Sequence, residues 1–276
     1  MTSAAPAGET VFTDAIRHWW SSKAVNVEGV PAPQGGTRHA NLRGDTMNGF
    51  RDTVIHELTE LGVSREDIFS GGNFSPVPAN LPSYFRASKN WDLIVCKNSR
   101  FKSIPGVESN DVVPPQLILA IEFKSQHGSI SNNQNNRIEE SIGNAADFWA
   151  SYENRNFIHL QPRPWLGYLF VGRYDDEEPS TGVEIKQPHF LSDEAFRTAG
   201  VDAPSAPVVH LGPSYAERYR IFLERMIAKK YYDGACFIAS NERIQHNATN
   251  YVCPFSELSG RRFIDAMLRH ARAYYF

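Results

Sequence analysis

Leu117-Ile-Leu-Ala-Ile-Glu122-Phe-Lys124-Ser-Gln126 is the stretch on which the reading of this chain turns. Leu117 to Ile121 is an unbroken apolar run, the pattern of a buried strand, and Glu122 follows it before any turn residue. Side chains alternate along a strand, so Glu122 and Lys124 project from one face and Phe123 from the other. Asp92, in Asn90-Trp-Asp92-Leu-Ile-Val, opens a second short apolar run from Leu93 to Cys96. Side by side, the two strands would set two carboxylates and an ammonium at one sheet edge.

Like charges gathered away from water are unfavourable, and each carboxylate takes up a proton unless a cation compensates. Asp92, Glu122, a backbone carbonyl near residue 123 and water are hard oxygen ligands of the kind Mg²⁺ prefers. Lys124 falls where an ammonium can orient an attacking water and stabilise charge developing on a phosphate. The pattern therefore points to phosphodiester hydrolysis. Because an Asp followed by Glu-x-Lys also recurs on solvated strand faces, the weight rests on the apolar runs and the order of elements.

The 276 residues, 41% hydrophobic, suffice for one sizeable core, and no segment approaches transmembrane length. The first ten residues lack the apolar core of a signal peptide, so a cytoplasmic protein is expected. Cys96, Cys236 and Cys253 form no CxxC pair and read as reduced packing residues, which leaves no zinc site or disulfide framework. A net charge of −3 does not describe a generic polyanion binder. From Pro213 to the end, however, ten Lys/Arg stand against six Asp/Glu, leaving 18 against 25 in residues 1 to 212. That basic C-terminal part reads equally as solvated arginines or as phosphate contacts.

Apolar spacing predicts helices over 9–22, 45–61, 137–152, 214–231 and 256–274. Strands are expected at 83–86, 91–97, 117–126, 164–171 and 235–239. Stretches 28–44, 70–82, 98–116 and the polar 127–136 read as loops. No repeat or linker divides the chain, so one domain is expected over 1–276, with a catalytic core at about 45–175 and C-terminal elements over 213–276. The fold class expected is α/β: a central mixed β-sheet flanked by helices, with additional N- and C-terminal helices.

That order, with Asp on one strand and Glu-x-Lys on the next, resembles the core of the PD-(D/E)xK nuclease superfamily. A narrower resemblance, to the XhoI-type family of type II restriction endonucleases, is carried by Trp91-Asp92-Leu-Ile-Val and Ala120-Ile-Glu122-Phe-Lys124-Ser-Gln126. It continues through Asn132-Asn133-Gln-Asn135-Asn136-Arg137-Ile-Glu139-Glu140, Gly143-Asn144-Ala, Asp147-Phe-Trp149 and Pro164-Trp165-Leu-Gly-Tyr-Leu-Phe. Further similarity runs through Leu81-Pro-Ser-Tyr-Phe-Arg86, Tyr219 to Lys229 and Arg261-Arg262-Phe263. The resemblance implies a homodimeric, Mg²⁺-dependent enzyme that cuts both strands of double-stranded DNA at a CTCGAG-like palindrome and leaves 5′ overhangs. It implies a cognate DNA methyltransferase as functional companion, metal ligation by Asp92 and Glu122, and water activation by Lys124. Trp91 stands where the superfamily signature often has proline, and the interval from Asp92 to Glu122 is long.

Glu57, on the helix before these strands, offers an additional acid; the simpler reading is an exposed helical glutamate. Gln126 continues the face of Glu122 and Lys124, toward a phosphate or as an ordinary strand end. Asn132, Asn133, Gln134, Asn135, Asn136 and Arg137 have the amides and guanidinium that pair with adenine and guanine edges, and they follow directly on the catalytic strand. Arg243, with Gln245 and His246, and Arg261 and Arg262 are further DNA-contact candidates, readable equally as solvated side chains. His127 is a loop residue in this reading, and Trp19-Trp20, Tyr231-Tyr232 and Tyr274-Tyr275 are core or interface anchors. Alternatives from other classes are a structure-specific repair or junction nuclease, a non-catalytic DNA-binding protein, and a carboxylate-pair glycosidase active in chelator.

Overall fold

The computed structural model describes residues 11–21, 45–70, 79–97, 116–126, 130–156, 163–173, 183–184, 192–195, 201–202, 210–240 and 255–276. Its centre is a five-stranded mixed sheet in the order β1-β4-β5-β6-β10, made of Ile68–Ser70, Leu93–Cys96, Leu117–Gln126, Trp165–Arg173 and Gly234–Ser240. The β1–β4 and β4–β5 pairs are antiparallel, whereas β5–β6 and β6–β10 are parallel. A hairpin of β2 (Asn80–Pro82) and β3 (Ser88–Asn90) precedes β4, and a small sheet joins β7 (Val183–Glu184), β9 (His210–Gly212) and β8 (Val201–Asp202).

Strands buried on both faces need cover on both. Helices α1 (Thr13–Ser21), α2 (Asn48–Leu61) and α5 (Gly260–Tyr275), with Phe12 just before α1, pack Trp19, Phe50, Leu58, Phe263 and Met267 against Leu93, Val95, Ile121, Leu169 and Ile238. Helices α3 (Ile130–Glu153) and α4 (Tyr215–Ala228) pack Ala145, Phe148, Tyr219 and Leu223 against Ile94, Ala120, Tyr168, Phe170 and Phe237. Alternate residues of each strand go to opposite layers, and both layers are apolar, which is why these strands read as continuous hydrophobic runs.

One irregularity fixes which side chains meet which layer. Val95 pairs with Leu119 but Cys96 with Leu117, so Ile118 is an extra residue in β5. Its carbonyl lies 3.1 Å from His270 Nε2 on α5. From Leu119 onward alternation is regular, and Glu122 and Lys124 emerge on the α3/α4 face. Gly167 serves the other face: a Cβ there would lie 2.3 Å from the Trp165 ring, which folds over it and over Gly234.

Several sequence expectations need correction. Residues 83–86 are not a strand but the turn between β2 and β3, and β2 itself lies at the end of the stretch read as loop. The polar stretch expected to be loop through Asn136 is helical from Ile130, because Gln134 is buried and its Nε2 donates to the Tyr215 carbonyl of α4 at 3.2 Å. Asp92 precedes β4 rather than lying within it. Cys96 and Cys236 are buried, reduced cysteines. Loops 28–44 and 98–115, together with His127, Arg243, Gln245, His246 and Cys253, lie outside the described residues. No helix among the described residues is long and apolar enough to cross a membrane.

Candidate active site

Leu93 faces Ile121 across the β4–β5 ladder, and the same register one step further sets Asp92 opposite Glu122. Directly opposed residues on adjacent strands have Cβ atoms about 5 Å apart. Asp92 Oδ2 accepts the Phe123 N–H at 2.7 Å, which ties the two strands together where the ladder ends. A strand residue's N–H and C=O point to the same edge. The Phe123 carbonyl therefore also faces Asp92, while its in-register counterpart Trp91 sends its N–H to the Ala79 carbonyl at 2.7 Å. Two carboxylates and one carbonyl converge at this strand end.

Glu122 is 1% exposed, yet it is amply bonded. Its Oε1 accepts from Asn144 Nδ2 at 2.8 Å and faces Lys124 Nζ at 3.0 Å and Lys89 Nζ at 3.3 Å, while Tyr232 OH reaches Oε2 at 3.4 Å. Lys124 also donates to Glu140 Oε1 at 2.7 Å, and Arg137 holds Glu140 Oε2 at 2.9 Å. Burial disfavours charge on Lys124, but Glu122 and Glu140 outweigh it and hold the ammonium above its ordinary pKa. In this state Lys124 is a cation and a donor, not a base. Glu140 is pulled below the usual carboxylate range: burial opposes this, and Lys124 and Arg137 prevail.

Asp92 is different. Burial, and next Glu122, push its carboxyl up to about 6, with the Phe123 N–H, Lys124 and Lys89 opposing. Both ammonium groups bond to Glu122, so the shortage of positive charge lies at Asp92. The donor set there, hard oxygens with no nitrogen or sulfur, fits Mg²⁺ completed by water. Among the described residues no group of three or more His, Cys, Asp and Glu side chains gathers into a metal cage.

Around this centre lies a second layer of contacts. Asn144 Oδ1 accepts from Arg86 at 2.8 Å, and Arg86 Nε donates to Asp147 Oδ2 at 2.8 Å. Asp147 is held below the usual range: burial acts against this, but the Phe85 N–H, the Arg86 guanidinium, the Tyr84 N–H and Ser83 outweigh it. Lys89 lies 4.5 Å from the centre of the Trp91 ring, and Tyr232 OH also donates to the Ser141 carbonyl at 3.0 Å.

The structure thus brings Asp92, Glu122 and Lys124 together, as the sequence led one to expect. Gln126 is on their face but buried, its Oε1 accepting from Tyr219 OH at 2.8 Å. No hydrogen bond or ion pair among the described residues joins Glu57 to Glu122 or Lys124; the acid that holds Lys124 is Glu140, from the helix that follows β5. Of the Asn-rich run, Asn133, Asn135 and Asn136 are exposed on the first turns of α3, Gln134 faces α4, and Arg137 holds Glu140. The backbone of Asn132 is helical, and its side chain lies outside the described residues. On α5, Arg261 pairs with Asp265 at 3.2 Å, and Arg262 lines a hollow with Glu257, Phe263 and Arg269. Sequence reasoning missed Lys89 and Tyr232, which carry no local signal. Asn144, Asp147 and Glu140 lay within the stretches that carry the family resemblance, where that resemblance alone marks them.

Comparison with known proteins identifies the family of the chain. The pattern of the family described as restriction endonuclease XhoI matches residues 30–252. The chain is 32% identical over 236 residues to the type II restriction enzyme BstVI of Geobacillus stearothermophilus, covering 85% of this chain and 91% of that one. It is 34% identical over 166 residues to AbrI of Azospirillum brasilense, covering 60% and 64%, and 27% identical over 216 residues to XhoI of Xanthomonas vasicola, covering 78% and 73%, both type II restriction enzymes. No solved structure matches the chain. Matched over most of its length by that family and by type II restriction enzymes, the chain is a nuclease of the type II restriction class. This chain belongs to the XhoI restriction endonuclease family.

Proposed function

We propose that the chain is a Mg²⁺-dependent type II restriction endonuclease that acts in the cytoplasm as a homodimer. Each copy, a single domain over 1–276, hydrolyses one strand of double-stranded DNA at a short palindrome, CTCGAG-like by family resemblance, leaving 5′ overhangs. The observation that carries this reading is the register that sets Asp92 opposite Glu122 with Lys124 on the same face. Mg²⁺ held by Asp92, Glu122 and the Phe123 carbonyl would supply Lewis-acid polarisation of the phosphate. Lys124, a cation fixed by Glu122 and Glu140, donates a hydrogen bond to the attacking water and stabilises the negative charge on the phosphate as the water oxygen bonds to phosphorus and the bond to the 3′ oxygen breaks, the water's proton passing to solvent and the 3′ oxygen taking one up to leave as a hydroxyl. Asn144 and Lys89 hold Glu122 in one rotamer. Asn133, Asn135 and Asn136 present amides to the DNA beyond the cleaved bond, the basic 213–276 segment adds phosphate contacts, and a methyltransferase of matching specificity protects the host.

Plasmid digestion tests the reading. The wild type should give discrete fragments in Mg²⁺ and none in EDTA. Asp92→Asn and Lys124→Met should each lower the rate by about a hundredfold or more. Smearing, or nicking confined to branched DNA, would move the protein to a repair or junction role. Wild-type cutting by either variant would remove that residue from the chemistry.

A further inference from the structure

The β2–β3 hairpin carries two aromatic side chains that the core does not use. Tyr84 is 49% exposed and Phe85 75% exposed, their rings 4.8 Å apart and edge to face. Isolated exposed apolar residues need no explanation. These two, however, ride on backbone that the protein has fixed from a distance. The N–H groups of Tyr84 and Phe85 both donate to Asp147 Oδ1, at 2.8 and 3.0 Å, and Asn156 Nδ2 donates to the Ser83 carbonyl at 3.2 Å. Backbone held this way leaves little ordering entropy to lose when a flat ligand lands on the rings.

The same hairpin reaches the catalytic carboxylate by two routes. Lys89, on β3, lies 3.3 Å from Glu122 Oε1. Arg86, at the tip, donates to Asn144, which donates to Glu122, each at 2.8 Å. Whatever seats on the tip therefore lies two hydrogen bonds from Glu122, while the charges of Arg86 and Lys89 are taken up by Asp147 and Glu122. Exposed aromatic side chains on fixed backbone are how proteins stack on bases or wedge between base steps.

We propose that Tyr84 and Phe85 stack on, or wedge between, bases of the same double-stranded DNA whose phosphate lies at Glu122 and Lys124, so that the Arg86–Asn144 link couples DNA seating to the position of Glu122. This rests on the nuclease reading above. The rings are exposed, so Tyr84→Ala and Phe85→Ala should melt with the wild type.

The test uses the full chain and a duplex carrying a mapped cut site with 2-aminopurine in it, bound in Ca²⁺. Wild-type protein should change the 2-aminopurine emission, and the alanine variants should not. Each should also weaken duplex binding by about tenfold, the scale of one base–aromatic stack. Phe85→Trp should restore both signals. Arg86→Gln should leave duplex affinity within about threefold of wild type yet lower the single-turnover cleavage rate, which separates coupling from binding. Alanine variants with wild-type emission and affinity would overturn the proposal while leaving the nuclease reading intact. A shift to monomers in light scattering, with emission unchanged, would overturn it in favour of a contact between copies. A wild-type chain that cuts no DNA would remove the reading beneath it.

Discussion

Asp92 and Glu122 face one another, but their surroundings divide the work between them. Glu122 is compensated by two ammonium groups and an amide, whereas Asp92 has one backbone N–H. The sign of the resulting pH effect is definite. A carboxyl whose pKa rises from 3.8 to about 6 on folding leaves the folded state binding more protons between those values, so its contribution to stability falls as pH rises through that window. Asp92→Asn, which keeps an acceptor for the Phe123 N–H, should therefore be more stable than wild type in EDTA above pH 6. Some exposure of Asp92 reduces the full two-unit shift to about 1–2 kcal/mol. The gap should close near pH 4. Thermal melts of the two chains from pH 4 to 8 check this, and added Mg²⁺ should stabilise the wild type selectively at pH 7. Equal melting at every pH would mean that Asp92 is not desolvated. Glu122→Ala behaves oppositely, because it leaves Lys89 and Lys124 facing one another in a largely buried site. A loss of about 3 kcal/mol is expected, and a melting temperature lower by roughly 6–10 °C. Glu122→Gln, which keeps the Asn144 contact, should lose less.

At the scale of elements, the hand of each residue along β5 decides the chemistry, and the extra residue Ile118 sets that hand. The neighbouring β6 shows the steric side of the same sheet. A methyl on Gly167 would collide with the Trp165 ring at 2.3 Å and press on Phe263 at 3.1 Å. Gly167→Ala should cost about 1–3 kcal/mol by overpacking, read as a shifted denaturation midpoint with an unchanged slope. A neutral result would show that Trp165 can turn aside. Long apolar strands and helices with regular apolar faces were legible in the sequence, because both layers of the core write their own periodicity. Strand β5, with Glu122 and Lys124, was legible for the same reason. What could not be read locally is set by distant partners. Ser83 to Arg86 form a turn because Asp147, some sixty residues on, holds the N–H groups of Tyr84 and Phe85 and the Arg86 guanidinium. The Asn-rich run is helical because Gln134 finds a carbonyl on α4. Lys89 joins the site because a three-residue strand too short for a pattern carries it there.

For the whole molecule, the proposed homodimer would supply two centres where each chain brings one. Among the described residues the chain holds one such cross-strand carboxylate pair, and one attack at one phosphate opens one strand. A palindrome offers the same phosphate environment twice, related by a twofold axis, and a homodimer matches that symmetry. Mixing chains makes the dependence measurable. Lys124→Met retains the β4–β5 register and the apolar layers, so it should still pair with wild-type chains and bind DNA. Wild type alone should convert supercoiled plasmid to linear product with little nicked circle. Wild type refolded or co-expressed with an excess of Lys124→Met should form mixed dimers with one working centre, and nicked circle should then accumulate at the mapped site as its main product. A mixture that gives only linear product, scaled down by dilution, would mean that each chain cuts both strands in turn. Nicked circle accumulating just as readily with wild type alone would mean that the two centres do not act together.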